Sequence, residues 1–514
     1  MAIMKSKKIE IFFTIILLFM IIFFGFRLFW AACSTVTPRE LRDYANIQLT
    51  KAIIDGKNPY VINENPLDQF VYVYTPANSI VIAGIYSLTK INIVTLHYLM
   101  DAIYIVMSAV LIGVCVYKKS KNKLWMLLSI FLGLTLGYRI GFVSAIPDHL
   151  GLLVSIGIYM LLDVKEMSRN RILSVSLLSI FLFYIKQYYV VLAIPIMAYL
   201  ILTQKKKYAI EYLIECVVGG LLSLYIVNYF CPLFTLYTFY LFSVENAGVS
   251  GSQFEYSLLQ MKTLICCFGV QFFVILANLV FHIIKKKKII LSIWNISIIC
   301  MLVVLLYLGK NKGAYLSYHL QLLGPGLLVY TVLCVEDFGG YIENTRMLSC
   351  FSNITLGLCL VFYIFNLKTL GIPRIYTLED KNQWKAAYDM VKADGEQEIL
   401  LLTPELGYLR IDNENITVYG NGHNYLNRLI DADISSSFFG PILERMNLLD
   451  SFDELKELAC ERNSMIDSKI RNKEYAAIYS SNANAEKLIN SDYSSIGVFD
   501  LRTGSQIWSV QCYK

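Results

Sequence analysis

The amino-acid sequence predicts a polytopic α-helical membrane protein with a smaller C-terminal α/β domain. Hydrophobic residues make up 56% of the 514 residues and charged residues only 16%, whereas soluble proteins carry about 25% charged residues. Long apolar runs separated by short clusters of lysine continue as far as residue 367, and from Lys368 the chain becomes charged, with asparagine and glycine. We therefore predict a transmembrane domain over 1–367 and a domain of α/β type over 368–514.

The first apolar run, 9–30, follows three lysines and is long enough to span a bilayer. It is too long for a typical signal-peptide core, so we expect it to remain as an anchor. The stretch 77–88 is too short to span and fits a surface or re-entrant helix. Further spans are predicted at 93–117, 124–141, 149–162, 172–185, 188–203, 209–230, 258–284, 289–309, 316–335 and 348–367.

The basic residues orient these spans, about eleven in number, because lysine and arginine accumulate in cytoplasmic loops. Alternate loops carry the basic clusters, provided that 77–88 does not span. The N-terminus is then cytoplasmic, and the loop after the first span lies outside together with the C-terminal domain. The basic loop residues on the inside are found at 118–123, 165–171, 205–207, 285–288 and 346.

The C-terminal domain has its own pattern of short elements. Strand-like runs occur at 398–403 and 475–479, and helices are predicted at 380–392 and 451–461. The segment 496–511 predicts a hairpin around Thr503 and Gly504.

Charge and cysteine usage exclude two classes of site. The net charge of +6 comes from lysines between apolar runs, which report topology and do not indicate a nucleic-acid partner. The twelve cysteines include no Cys-x-x-Cys pair and no Cys/His spacing suited to zinc. Cys460 and Cys512 lie in the polar C-terminal region, and the sequence leaves open whether they form a disulfide.

The polar stretch 38–76 puts charged residues directly beside a membrane exit. If the proline that opens it begins a helix, Asp43, Asn46 and Thr50 share one face, with Arg39 one turn earlier. The carboxylate would then face a polar groove. The alternative is an amphipathic helix at the interface, in which Asp43 is merely paired with Arg39 at i, i+4.

The same stretch continues with a Gly-Lys-Asn-Pro-Tyr turn and an aromatic run that ends in proline. This order resembles the first external loop of the GT-C membrane glycosyltransferases, especially the polyprenol-phosphate-mannose-dependent enzymes and the protein mannosyltransferase and aminoarabinose transferase branches. Thr75 and Ala77 depart from the family pattern, which has a second proline or a charged residue there. The matching residues are Asp43, Gly56, Pro59, Tyr60, Tyr72, Tyr74 and Pro76.

The resemblance implies an external catalytic loop over 32–92 and an inverting transfer of sugar from a polyprenyl-phosphate donor to an envelope glycan, lipid or protein. Asp43 would be the general base, and cations would stabilise the departing phosphate. No metal ligand is predicted, and a requirement for Mg²⁺ or Mn²⁺ is left open, as are the sugar and the acceptor. The predicted substrate groove comprises Arg39, Asp148, His149, Tyr60, Tyr72 and Tyr74.

Ionisable residues at membrane depth are costly and usually functional. Arg139, Asp148 and His149 border the loop between the third and fourth spans. One interpretation is a structural Arg–Asp pair that caps a helical hairpin. The resemblance favours another, in which Asp148 lies near the catalytic groove and assists the substrate or a metal.

Lys186 occupies a polar break between two short apolar runs. Snorkelling to the external headgroups is the default interpretation, and contact with a lipid phosphate is the sharper one. Lys312, Tyr318 and His319 lie at the external end of the tenth span, in a run similar to the Lys-x-x-Ala-x-x-x-Tyr run of the family. The resemblance assigns the donor phosphate and lipid to Lys312, Lys186, Arg139, Tyr318 and His319.

Two other classes of function remain open. A transporter, flippase or polymerase of envelope polysaccharide would use Asp43 and Asp148 to bind a cation or substrate at a gate. A structural subunit of an envelope assembly would use the C-terminal domain as a binding module. The sequence shows no pair of related halves, which would be typical of a transporter.

Overall fold

The computed structural model describes residues 2–35, 38, 41–69, 71–141, 144–241, 253–289, 291–308, 316–339, 352–362, 378–402, 409–410, 413–419, 430, 440–445, 448–480, 493–503 and 506–514. In these residues the chain is mostly helical as far as residue 362, and a β-sheet with further helices follows. The predicted class, a helical protein with a C-terminal α/β region, is confirmed.

The helices before the sheet follow the predicted apolar runs closely. Their bounds are α1 (Ala2–Ser34), α2 (Leu41–Ile54), α3 (Ala77–Thr89), α4 (Ile93–Ser120), α5 (Lys123–Gly141), α6 (Asp148–Leu162), α7 (Arg169–Ile185), α8 (Ala193–Thr203), α9 (Lys206–Phe230), α10 (Gln253–Ile284), α11 (Ile293–Leu308), α12 (Leu316–Gly339) and α13 (Ser352–Phe362).

Among the described helices, three are long and apolar enough to cross a membrane: Glu10–Ser34 within α1, α4 and α9. In α9 only 6% of the most apolar window is buried inside the protein, and side chains such as Leu221 and Tyr225 are exposed. An apolar surface of this extent needs lipid around it. The chain is a membrane protein. The total of about eleven spans stays a prediction, because only these three helices meet both the length and the composition criteria within the described residues.

The packing of α4 on α5 depends on two glycines. A Cβ atom at Gly133 would lie 2.9 Å from the Cα of Ala109, and one at Gly113 would lie 2.4 Å from a side-chain carbon of Ile130. Small residues at such positions let helix backbones approach closely. Since α1 and α12 pack on the same pair, α4 lies in the centre of the bundle.

The stretch between α1 and α4 contains α2 and α3 joined by an irregular segment. Gly56 closes α2 with a φ of +69°, a conformation that suits glycine. A 3₁₀ turn at Pro66–Asp68 and an extended run then lead to α3, whose 13 residues are too few to span, as predicted. The helix that contains Asp43 is confirmed, with its described part starting at Leu41.

The predicted span 188–203 is not one continuous α-helix. Lys186 has extended backbone dihedrals (φ −163°, ψ 126°) and ends α7. A 3₁₀ segment, Gln187–Leu192, follows before α8, which has only 11 residues. The break turns Lys186 into the protein, and this burial is described with the candidate site below.

The C-terminal region forms a five-stranded mixed sheet of order β2-β1-β3-β5-β4. The predicted hairpin is confirmed as an antiparallel pair with Thr503 opposite Gln506, and the short strand β2 was not predicted. The second predicted helix is longer than expected. The elements are α14 (Leu378–Asp394), β1 (Ile399–Leu401), β2 (Ile416–Val418), α15 (Gly440–Arg445), α16 (Leu449–Arg471), β3 (Ala477–Ser480), β4 (Ser495–Thr503) and β5 (Gln506–Tyr513).

The C-terminal region packs against the stretch between α1 and α4. Phe452 of α16 lies edge-on to Tyr240 with ring centroids 5.1 Å apart, inside a buried cluster that also contains residues of α2. Arg410 donates to the carbonyl oxygen of Leu67 at 2.8 Å and forms an ion pair with Asp68. The predicted domain boundary at 367 lies outside the described residues.

Cys460 and Cys512 are both free thiols, one exposed on α16 and the other buried in β5. A disulfide between them does not form in this structure.

Candidate active site

One face of α2 is buried and polar. Asp43, Asn46 and Thr50 lie on this face as predicted, and all three side chains are shielded from solvent. Asn46 Oδ1 accepts a hydrogen bond from the hydroxyl of Tyr72 at 2.5 Å, and the Thr50 hydroxyl lies 2.8 Å from His97 Nε2. The face therefore points into the protein and is tied to α4 and to the extended run.

Asp43 receives donors from two other parts of the chain. Its Oδ2 accepts a hydrogen bond from the hydroxyl of Tyr98 on α4, and its Oδ1 accepts one from the backbone N–H of Ala145 at 2.7 Å. Donors on both oxygens fix the plane of the carboxylate. Arg39, the predicted partner in the alternative interpretation, lies outside the described residues.

A second buried carboxylate, Asp101 of α4, contacts the same segment of the chain. Its Oδ2 accepts a hydrogen bond from the backbone N–H of Ser144 at 2.9 Å, and its Oδ1 lies 2.7 Å from Nδ1 of His149, within hydrogen-bond distance. His149 is fully buried. Both ends of the 144–149 segment are thus held by one side chain.

The third carboxylate, Asp148, begins α6 and forms a buried ion pair. Lys186 Nζ lies 3.0 and 2.9 Å from its two oxygens, and the Tyr188 hydroxyl donates to Oδ1 at 3.1 Å. The Lys186 ammonium also lies over the rings of Tyr74 and Tyr188, at 5.0 and 5.2 Å from their centroids. Lys186 is only 3% exposed, so the snorkelling interpretation is wrong.

We call this set the acid junction: the 144–149 segment with Asp43, Asp101 and the Asp148–Lys186 pair. Buried carboxylates are tolerated only when donors satisfy them. Here the partners come from α4, from the 144–149 segment that leads into α6, and from Lys186 and Tyr188 after α7. Such a site can hold a carboxylate in a fixed direction away from bulk water. That is what a general base needs.

The three tyrosines predicted for the substrate groove all lie near the acid junction, and all are buried. The Tyr60 hydroxyl donates to the carbonyl oxygen of Tyr74 at 3.2 Å. Burial raises the pKa of Tyr60 and of Tyr72 well above the ordinary value, so both phenols stay protonated donors at neutral pH. In this structure they support the packing around the site.

The positions of the other predicted site side chains relative to the acid junction are not described by the structure. Lys312 lies outside the described residues. Arg139, Tyr318 and His319 belong to α5 and α12, and their side chains are not among those described. Their roles at the donor phosphate stay predictions.

An apolar cavity of about 260 Å³ adjoins the acid junction. It lies between α7, the 3₁₀ segment after it and α9, and its walls include Phe183, Tyr189, Leu192 and Leu224. Tyr189 links it to the site, because its hydroxyl donates to the backbone carbonyl oxygen of Asp148 at 2.8 Å. The cavity suits a hydrocarbon chain.

The sequence matches no family model and no curated protein. Solved structures do resemble this chain. ArnT from Cupriavidus metallidurans bound to undecaprenyl phosphate shares 11% identity at a TM-score of 0.56, covering 98% of this chain and 97% of ArnT. ArnT in the apo state gives 10% identity and a TM-score of 0.57, with 99% and 98% covered.

The ArnT likeness extends over nearly the full length of both chains. The chain has the GT-C fold. The predicted resemblance is therefore confirmed at the level of the fold. In this GT-C fold Asp43 lies on α2, the first helix after α1 in the described residues.

Sequence reasoning missed the contribution of α4 to this candidate site. His97, Tyr98 and Asp101 were treated as part of an ordinary apolar span. A usable signal was present. A histidine and an aspartate four residues apart in a long apolar helix lie on one face, and burying two ionisable side chains there costs free energy. Among the described residues, no group of three or more His, Cys, Asp or Glu side chains is arranged to hold a metal ion.

Proposed function

We propose that this protein is an inverting glycosyltransferase that moves a sugar from a polyprenyl-phosphate donor to a cell-envelope acceptor on the outer face of the membrane. The observation that carries the proposal is a buried, oriented Asp43 on the external stretch of a GT-C fold. ArnT, which has the same fold, binds undecaprenyl phosphate. From that likeness we propose a lipid-linked donor for this protein.

In the proposed reaction Asp43 removes the proton from an acceptor hydroxyl while that oxygen attacks C1 of the sugar. The bond between C1 and the phosphate oxygen breaks, and its electron pair stays on the phosphate. Attack from the opposite face inverts the configuration at C1. Only one carboxylate is needed, unlike a hydrolase that uses an acid and a base.

Burial of Asp43 has two consequences for this step. The carboxylate is shielded from bulk solvent, so water does not compete as an acceptor. A substrate must also displace part of the surrounding packing to reach the carboxylate. Acceptor binding and opening of the site are therefore coupled.

The departing phosphate needs positive charge, since the transition state carries more negative charge there than the bound donor does. We assign this role to Lys312, with Arg139, Tyr318 and His319. Lys186 holds Asp148 in this structure, and it reaches a phosphate only by leaving that pair. The apolar cavity beside Tyr189 would take part of the prenyl chain.

The topology completes the proposal. We propose about eleven spans with the N-terminus in the cytoplasm, because this arrangement places the basic clusters inside. The external stretch 32–92 and the C-terminal domain 368–514 then lie on one outer face. We propose no metal ion, and we name no particular sugar or envelope acceptor.

The test uses the purified full chain in lipid nanodiscs. It is incubated with undecaprenyl phosphate carrying radiolabelled mannose, glucose or aminoarabinose and with envelope extracts as acceptor. Transfer of label with release of undecaprenyl phosphate supports the proposal, and sugar nucleotides should not replace the lipid donor. Failure with every donor, together with movement of the labelled lipid between leaflets of proteoliposomes, would support a flippase instead.

A further inference from the structure

Two consecutive backbone amides connect two of the buried acids. The N–H of Ser144 donates to Asp101 at 2.9 Å, and the N–H of the next residue, Ala145, donates to Asp43 at 2.7 Å. A shift of this peptide unit by even an ångström would break or bend both hydrogen bonds. The position of the Asp43 carboxylate and the position of Asp101 are therefore linked through one short piece of backbone.

Asp101 fixes that piece of backbone at both ends. One of its oxygens bonds the amide that starts the 144–149 segment, and the other bonds Nδ1 of His149 at its end. A carboxylate at 101 can accept from the Ser144 amide on one oxygen and from a protonated Nδ1 of His149 on the other. An asparagine has one acceptor oxygen, and with this tautomer of His149 its NH₂ group would face one of the donors. The substitution Asp101→Asn therefore disturbs at least one of the two contacts.

The same helix also contacts Asp43 directly. Tyr98, whose hydroxyl donates to Asp43, precedes Asp101 by three residues and shares its face of α4. One oxygen of Asp43 is therefore held by α4 itself and the other by the segment that α4 holds through Asp101. Since α4 is packed in the centre of the bundle, both contacts rest on a rigid element.

We propose that Asp101 is a positioning residue for Asp43: acting through the 144–145 backbone and with His149 as its clamp, it sets the direction of the Asp43 carboxylate. The catalytic meaning of this assignment rests on the proposed function, but the positioning itself does not. Nothing in the reaction requires Asp101 to touch a substrate.

The first experiment measures positioning without any assay of activity. Hydrogen exchange of the amides of Ser144 and Ala145 is followed in nanodiscs for the wild type and for Asp101→Asn. Loss of a hydrogen bond to a charged group should speed exchange at both amides roughly 10- to 100-fold. Faster exchange at Ser144 with unchanged exchange at Ala145 would overturn the proposal.

Matched variants control this measurement. Asp163→Asn removes a carboxylate at the other end of α6, where it pairs with Lys119, and should leave both amides unchanged. If Asp101→Asn does not fold, His149 provides a second pair. His149→Leu removes the donor to Asp101 and should speed exchange, whereas the NH₂ group of His149→Asn replaces the Nδ1 donor and should preserve protection. Equal exchange in these two variants would contradict the clamp.

The second experiment measures transfer. Asp101→Asn should lower kcat roughly 10- to 100-fold with little change in the donor KM, since a positioning fault acts on the chemical step. In an Asp43→Asn background the same change should cost nothing further. Multiplicative losses in the double variant would show that Asp101 acts independently of Asp43. If the wild type transfers no sugar, the proposed function fails while the exchange result still decides the positioning.

Discussion

The acid junction and the C-terminal domain bury charge in opposite ways. At the acid junction Asp148 is paired with Lys186 through both oxygens, and Asp43 and Asp101 receive donors from other elements. In the C-terminal region Arg462 is only 1% exposed, yet within the described residues it donates to a single carbonyl oxygen, that of Val418, and its Nε has no hydrogen-bond partner there. Burial and the nearby Arg410 lower the pKa of Arg462 to about 10.

The difference shows where polar contacts determine the structure. The carboxylates at the acid junction join segments that are far apart in sequence, and removing Lys186 leaves the Asp148 carboxylate buried without its ion-pair partner. Among the described contacts, Arg462 joins α16 to the strand β2 by one hydrogen bond, in a region held mainly by apolar packing. Buried charge is structural in the first region and tolerated in the second.

Lys186→Met should produce the largest loss of stability. It leaves the Asp148 carboxylate buried without its ammonium partner, which costs about 3 to 5 kcal/mol. Denaturant unfolding of the purified protein in detergent measures this. Lys119→Met is the matched control, because the Lys119–Asp163 pair is partly exposed and should be worth at most about 1 kcal/mol. Similar losses in the two variants would remove the distinction between the acid junction and the surface.

Leu455→Ala tests whether apolar packing holds the C-terminal region against the stretch between α1 and α4. Leu455 is fully buried in the cluster that α16 shares with α2. Its truncation should cost about 2 to 5 kcal/mol through lost burial and the cavity left behind. Limited proteolysis should then release the C-terminal domain more readily, whereas unchanged resistance would show that polar contacts such as Arg410–Asp68 hold the interface.

Arg462→Met should have the smallest effect. The substitution removes a desolvated charge and one hydrogen bond, and such replacements are often neutral or stabilising. We expect the free energy of unfolding to change by less than about 1 kcal/mol in either direction. A loss as large as that of Lys186→Met would mean that Arg462 carries an essential contact, and the contrast between the two regions would be wrong.

Much of the fold was predictable from the sequence because lipid and strand pairing impose strong patterns. Apolar run lengths located most helices, a short run identified α3 as too short to span, and the alternation around Thr503 gave the terminal hairpin. The predicted span 188–203 is apolar as expected, but it begins with a 3₁₀ segment, Gln187–Leu192, that the sequence did not reveal. The ion pair between Lys186 and Asp148 was not predictable either, because it joins residues distant in sequence and leaves no local pattern.

The candidate site was predictable only in part. The face of α2 that carries Asp43 followed from helical periodicity and from the resemblance of the external loop. The hydrogen bonds from Tyr98 and from the Ala145 backbone did not, because they depend on how α4 and the 144–149 segment meet in space. The i, i+4 spacing of His97 and Asp101 was the one available signal for α4.

The most direct test of the account is sugar transfer by Asp43→Asn, compared with the wild type and with Asp163→Asn. All three are purified in nanodiscs and checked for equal thermal unfolding before the assay with labelled undecaprenyl-phosphate sugars. Loss of a general base should lower kcat roughly 100- to 10,000-fold while the donor KM changes little, and Asp163→Asn should transfer normally. A folded Asp43→Asn protein with a kcat near that of the wild type would contradict the account.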